Sequence, residues 1–213
     1  MKTGDFIDLL ANTGTPVAPG AVARRYGIAL ALGLVFGALA MQLEFGLNPD
    51  IEAYAAMPMF WVKVIFSALV VVAGFYAVTR LARPGADVRR LPATVTTPFV
   101  VLWMIAVAVL ATAEPGEAEQ LVFGNTWRTC ALNIAMLSGP AFAATLWAMK
   151  GLAPTRPVIA GAAAGLFAGG IGSLVYTVHC PELMPPFIGI WYVAGMLIPA
   201  ALGALLGPRL LRW

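Results

Sequence analysis

Apolar residues in this chain gather in long runs, with the polar and charged residues confined between them. Six such runs recur: about Gly27 to Leu43, Met59 to Val78, Pro98 to Thr112, Thr129 to Met149, Val158 to Val178 and Phe187 to Leu206. A helix rises about 1.5 Å per residue, so roughly 20 apolar residues cross a hydrocarbon core about 30 Å thick. A soluble amphipathic helix would carry a polar stripe, and these runs carry almost none. The pattern predicts an all-α fold: a polytopic membrane protein whose 26–213 region is a six-transmembrane-helix bundle, preceded by a polar tail over residues 1–25. Prolines mark the joints at Pro49, Pro58, Pro84, Pro92, Pro115, Pro154, Pro157 and Pro181. Pro140 and Pro199 fall inside runs and predict kinks.

Composition agrees: 61% of the 213 residues are hydrophobic and 11% charged, whereas about a quarter of an ordinary soluble domain is charged. No apolar stretch follows a short basic start, so no cleavable signal peptide is expected.

Charge placement adds orientation. With the N-terminus inside, Lys2, Arg24, Arg25, Arg80, Arg83, Arg89, Arg90, Lys150, Arg156, Arg209 and Arg212 all fall on the cytoplasmic side, eleven of the 13 basic residues. Only Lys63 and Arg128 fall outside. The acids run the other way, with Asp5, Asp8 and Asp87 inside and the other seven outside. Because cytoplasmic loops hold the Lys and Arg excess, both termini are expected in the cytoplasm. Trp61, Trp127 and Trp191 then map to one membrane boundary, and Trp147 and Trp213 to the other, as interfacial anchors.

The tail from Lys2 to Ala11 places Phe6, Leu9 and Leu10 on one side and Asp5 and Asp8 on another, a short amphipathic helix. Ten residues make a marginal helix in water, so it should order against a partner: membrane surface, the protein's own inner face or a second protein. Asn12 to Gly20 reads as a flexible link.

Candidate chemistry centres on two cysteines. The topology puts Cys130 and Cys180 on the same, extracytoplasmic side, beside His179, the single histidine, and Glu182. Two thiols, an imidazole and a carboxylate would suit a soft or borderline metal, and the thiols alone would suit an oxidant-sensitive pair. A static disulfide and two inert thiols are the alternatives. Lys63, about one turn into the second run, is expected to snorkel outward or to pair with Glu44 or Glu52. Gly161, Gly165, Gly169 and Gly170 recur about every fourth position and predict close helix packing within the bundle. No Walker loop, Rossmann glycine pattern or His-Glu-x-x-His is present, and one histidine excludes bis-histidine haem ligation. The reading is not an enzyme. A small transporter or channel for a metal ion or organic cation is the alternative from another class; it would require a polar mid-membrane path.

Short motifs distributed over the whole chain carry a resemblance: Met1-Lys2-Thr3 with Asp5 and Leu9-Leu10; Arg80-Leu81-Ala82-Arg83-Pro84-Gly85; Leu137-Ser138-Gly139-Pro140; Ala153-Pro154-Thr155-Arg156-Pro157; Tyr176, His179-Cys180, Glu182 and Trp191-Tyr192; and the closing Gly207-Pro208-Arg209-Leu210-Leu211-Arg212-Trp213. In this order they resemble the NrsF-type membrane anti-sigma factors of proteobacteria, with Gly4 standing where an acid would be expected. The resemblance implies a bacterial inner-membrane protein that holds an extracytoplasmic-function-type sigma factor on the cytoplasmic face, without itself contacting nucleic acid. An envelope-side signal then releases that partner. It further implies that Cys130 and Cys180 respond to metal or oxidative stress, with transient heavy-metal binding in place of a resident cofactor. The sigma-binding residues would be Asp5, Phe6, Asp8, Leu9 and Leu10.

Overall fold

The computed structural model describes residues 3–13, 20–152 and 154–212, without the side chains of residues 6 and 10–13. Met1, Lys2, most of the expected link (14–19), Ala153 and the Trp213 anchor lie outside the described residues, as do the expected contacts of the Phe6 and Leu10 side chains.

The described residues form helices joined by short turns: α1 (Thr3–Thr13), α2 (Ala21–Glu44), α3 (Ile51–Ala55), α4 (Pro58–Leu81), α5 (Leu91–Ala111), α6 (Glu117–Phe123), α7 (Trp127–Leu137), α8 (Gly139–Met149), α9 (Pro157–Tyr176) and α10 (Pro185–Leu210). Six stretches are long and apolar enough to cross a membrane: α2, α4, α5, the α6–α8 series, α9 and α10. The expected six spans are therefore present, with shifted ends.

Among the spans made of one unbroken helix the largest shift is in the third, which starts at Leu91 rather than Pro98. Pro92 lies in the first turn, where a missing N–H costs nothing. Thr94, Thr96 and Thr97 donate their hydroxyls to the carbonyls of Arg90, Pro92 and Ala93, one turn back. The residues that read as a polar joint are thus satisfied inside the helix. The fourth span is broken where Pro140 predicts it: α7 ends at Leu137, α8 begins at Gly139, and Ser138 Oγ donates to Ile134 O at 2.7 Å. The last span runs on to Leu210 with Pro208 inside it. The tail helix extends through Asn12 and Thr13, which read from sequence as the start of the link. The short helices α3 and α6 fill turns that the apolar pattern leaves blank.

Helix α9 is the axis of the bundle; 67% of its most apolar 18-residue stretch is buried, the largest such share among the spans, against 17% for α5 at the periphery. Its glycines make this position attainable. A Cβ on Gly165 would fall on the Pro199 carbonyl of α10, and Gly161 and Gly169 face Gly203 and Met196 of the same helix in similar closeness, while Gly170 meets Val71 of α4. The glycine stripe is spent on packing inside the chain. In lipid, where helix association relies on close van der Waals contact, this approach is what holds α9 and α10 together. Tyr26, Phe75 and Phe167 stack edge to face between α2, α4 and α9.

Candidate functional site: a buried thiol pair and its lysine

The residues between α9 and α10, 177–184, close over one end of the bundle and are tied to three other elements. Asn48 donates its backbone N–H to Val178 O (3.2 Å) and its side-chain amide to His179 O (3.2 Å). His179 Nδ1 lies 3.0 Å from Gly46 O, and its ring packs on Phe45 and Tyr176. Glu182 accepts from Asn125 N at 2.7 Å and from the Thr126 hydroxyl at 3.4 Å. Gly124 makes room for that carboxylate: its φ is +52°, and a Cβ there would stand 2.5 Å from a Glu182 oxygen. Trp191 reaches across to donate to Val122 O (2.9 Å) and packs with Trp127 and Phe123.

Cys130 on α7 and Cys180 in this segment meet beneath it. Both are buried free thiols, close enough for each to act on the ionisation of the other. The sequence leaves bridged and separate thiols open; here the two are unbridged neighbours. His179 and Glu182, expected as further ligands, sit beside the pair but face other partners. Among the described residues no three His, Cys, Asp or Glu side chains converge on a point that would hold a metal. The chemistry available to this arrangement is that of two thiols.

Lys63 departs most from expectation. It neither snorkels outward nor pairs with Glu44 or Glu52. It is wholly buried, and its ammonium donates to Cys180 O at 2.8 Å and to Glu182 O at 3.1 Å, with the Phe60 and Tyr192 rings 5.6 and 6.0 Å away. Taking an ammonium out of water costs several kcal/mol unless dipoles replace the solvent; two carbonyls and two ring faces do so here. The sequence signal was present, because a charge inside a span is functional by default, but its partners are backbone atoms and leave no mark in side-chain pattern. Tyr192 was missed as a site residue. Its hydroxyl is buried against the Cys180 sulfur without good hydrogen-bond geometry. It ends a π-helical turn, Ile188–Tyr192, a local irregularity that often accompanies functional sites. Asn133 donates to Tyr176 OH (3.1 Å) next to it.

These neighbours act on Cys180. The Cys130 thiol, then the Lys63 ammonium, the Tyr192 hydroxyl and the Glu182 backbone outweigh burial and hold the Cys180 thiol below the usual thiol range. The thiolate, not the thiol, is the nucleophile, so the lowering favours reaction at Cys180. The rate of Cys180 alkylation by a small membrane-permeant reagent, followed by mass spectrometry, is therefore expected to rise with pH through a midpoint below that of an ordinary thiol. Cys130→Ala should move that midpoint upward.

The comparisons with known proteins bear on the whole of this frame. The family model for negative regulator of sigma F, NrsF, matches residues 10–213. The chain belongs to the NrsF family. An NrsF relative from Azospira oryzae, named probable anti-sigma-F factor NrsF, is 48% identical over 213 residues, covering 100% of both chains. The anti-sigma-F factor NrsF of Caulobacter vibrioides is 39% identical over 220 residues, again covering 100% of both. No solved structure matches. The NrsF match takes in both cysteines, Lys63, Glu182 and Tyr192, and begins inside α1.

Proposed function

We propose that this chain is a membrane-embedded anti-sigma factor. It holds a sigma factor of the extracytoplasmic-function type at the cytoplasmic face of the bacterial inner membrane and releases it when the thiol pair is oxidised or captures a heavy metal. The full-length likeness to two proteins named as anti-sigma-F factors is the observation that carries the regulatory reading. The buried pair of neighbouring thiols under a laced segment is what supports the sensing part. By the distribution of Lys and Arg both termini lie inside, which places the thiols on the envelope side and α1 with the arginine-rich turns on the other.

The tail would bind as an amphipathic helix in a groove, with Phe6, Leu9 and Leu10 as anchors and Asp5 and Asp8 toward basic surface. On the other side, two thiols can bridge by giving two protons and two electrons to an oxidant, or bind one thiophilic cation with loss of two protons. Either event withdraws Cys180 from its present partners and pulls on a segment that continues directly into α9 and α10. To turn the bound state from 99:1 to 1:99, it must favour the released state by about 5.5 kcal/mol.

Transport finds less support. A polar path would need a run of free groups in mid-membrane; the buried Ser138, Thr145, Ser173 and Thr177 hydroxyls each donate to a carbonyl three or four residues back, which leaves Tyr26, Ser67 and Tyr192 as the buried hydroxyls without a partner among the described residues. In cells, deleting the gene is expected to raise transcription from promoters of the cognate sigma factor at least about tenfold, equivalent to loss of about 1.4 kcal/mol of sequestration. Unchanged transcription in the deletion strain would refute the regulatory reading.

A further inference from the structure

At the end of the bundle opposite the thiols, two hollows share a wall. One is a polar hollow of ≈ 170 Å³ at the turns between α4 and α5 and between α8 and α9, edged by Arg80, Arg83, Thr155 and Arg156. The other is an apolar slot of ≈ 350 Å³ between α4, α5, α9 and α10, lined among others by Val95, Ile159, Ala162, Leu166 and Leu197. Leu81, Val88 and Arg156 border both. The combined groove begins in a cluster of guanidiniums and continues along the lipid-facing side of the bundle, where Ile159 and Leu197 are half exposed.

The geometry points to a binding site for an anionic phospholipid, its phosphate in the Arg80–Arg83–Arg156 hollow and one acyl chain in the slot. Three features of the groove fit that occupant. From Arg156 to Leu166 the slot follows ten residues of α9, about 15 Å of helix, which is half of a hydrocarbon core about 30 Å thick and so the depth of one leaflet. None of the residues lining either hollow is acidic, and the one acid of the α4–α5 turn, Asp87, accepts from the Arg89 backbone N–H at 2.9 Å. Arg80 edges the hollow while held over the Tyr76 ring, its guanidinium 5.1 Å from the centroid. Basic pockets between membrane helices recognise anionic headgroups in this way. An acidic protein segment could reach the arginines but would have no use for a slot that descends into hydrocarbon. The groove touches α9 and α10 at the end remote from the cysteines, so an occupant there would brace the same two helices.

The test uses the full chain, purified in detergent, delipidated and then offered phosphatidylglycerol or phosphatidylcholine, with retained lipid counted by native mass spectrometry. Phosphatidylglycerol is expected to be retained about tenfold better than phosphatidylcholine, a conservative figure for three exposed arginines near an anionic group. The triple variant Arg80→Gln, Arg83→Gln, Arg156→Gln changes exposed side chains only and should abolish that preference while leaving the helical circular dichroism unchanged. Ala162→Phe, which fills the slot, should reduce retention of phosphatidylglycerol to the phosphatidylcholine level with the arginines in place. Equal retention of the two lipids by the unmodified chain would overturn the proposal, as would a preference that survives the triple variant or Ala162→Phe. Displacement of the lipid by soluble glycerophosphate would also overturn it, since that would make the site a phosphate site alone. The outcome is independent of whether a sigma factor binds.

Discussion

Replacing Cys130 and Cys180 together with serine is expected to leave sigma-factor capture intact and to abolish release under oxidative or heavy-metal stress, holding reporter output at its uninduced level. Serine is nearly isosteric with cysteine and keeps a hydrogen-bonding group at both buried positions, so the cost to folding should be small, about 1–2 kcal/mol. What it removes is the chemistry: a hydroxyl does not ionise near neutral pH, does not bridge and is a poor ligand for soft metals. Either single replacement should behave much like the double, because bridging and two-thiolate capture each need both sulfurs. Full induction in the double variant would remove the thiols from the mechanism.

The second large effect is expected at Lys63. Lys63→Met keeps most of the unbranched stem and its packing but leaves the carbonyls of Cys180 and Glu182 buried without the donor they now share. Stranding two buried acceptors costs about 3 kcal/mol, which should appear as a lowered unfolding midpoint in detergent. The same change strips Cys180 of a cation that helps to hold its thiol below the usual range, so its alkylation midpoint should rise. Both readouts are needed: packing damage elsewhere in α4 would lower stability without moving the thiol titration. Lys63→Arg restores charge without the compact ammonium and should recover the titration better than the stability. If Lys63→Met leaves both quantities unchanged, Lys63 does not tie the segment.

The sequence made the number of spans legible because the bilayer imposes a length that a run of apolar residues must match. It also brought the two thiols to one end, since the count of spans between them is even on any placement of their ends. Other features escaped for physical reasons. The start of α5 was hidden by threonines and prolines that look like a loop, yet the threonine hydroxyls bond one turn back and Pro92 sits where no N–H is needed. The partners of Lys63 lie 117 and 119 residues away and are main-chain carbonyls, which any residue type would supply. His179 and Glu182 read as ligands because they flank Cys180, but Gly46 and the Asn125–Thr126 turn hold them. Adjacency along the chain did not become convergence in space. Gly124 was overlooked for a related reason: its need for a positive φ and for room beside Glu182 appears only once the two turns meet.

The most direct measurement is co-purification from detergent of the candidate sigma factor with the intact chain and with a chain lacking residues 2–12. Capture by the intact chain and loss on truncation is the result expected of an anti-sigma factor that binds through α1. Failure of the intact chain to capture the sigma factor would contradict the account.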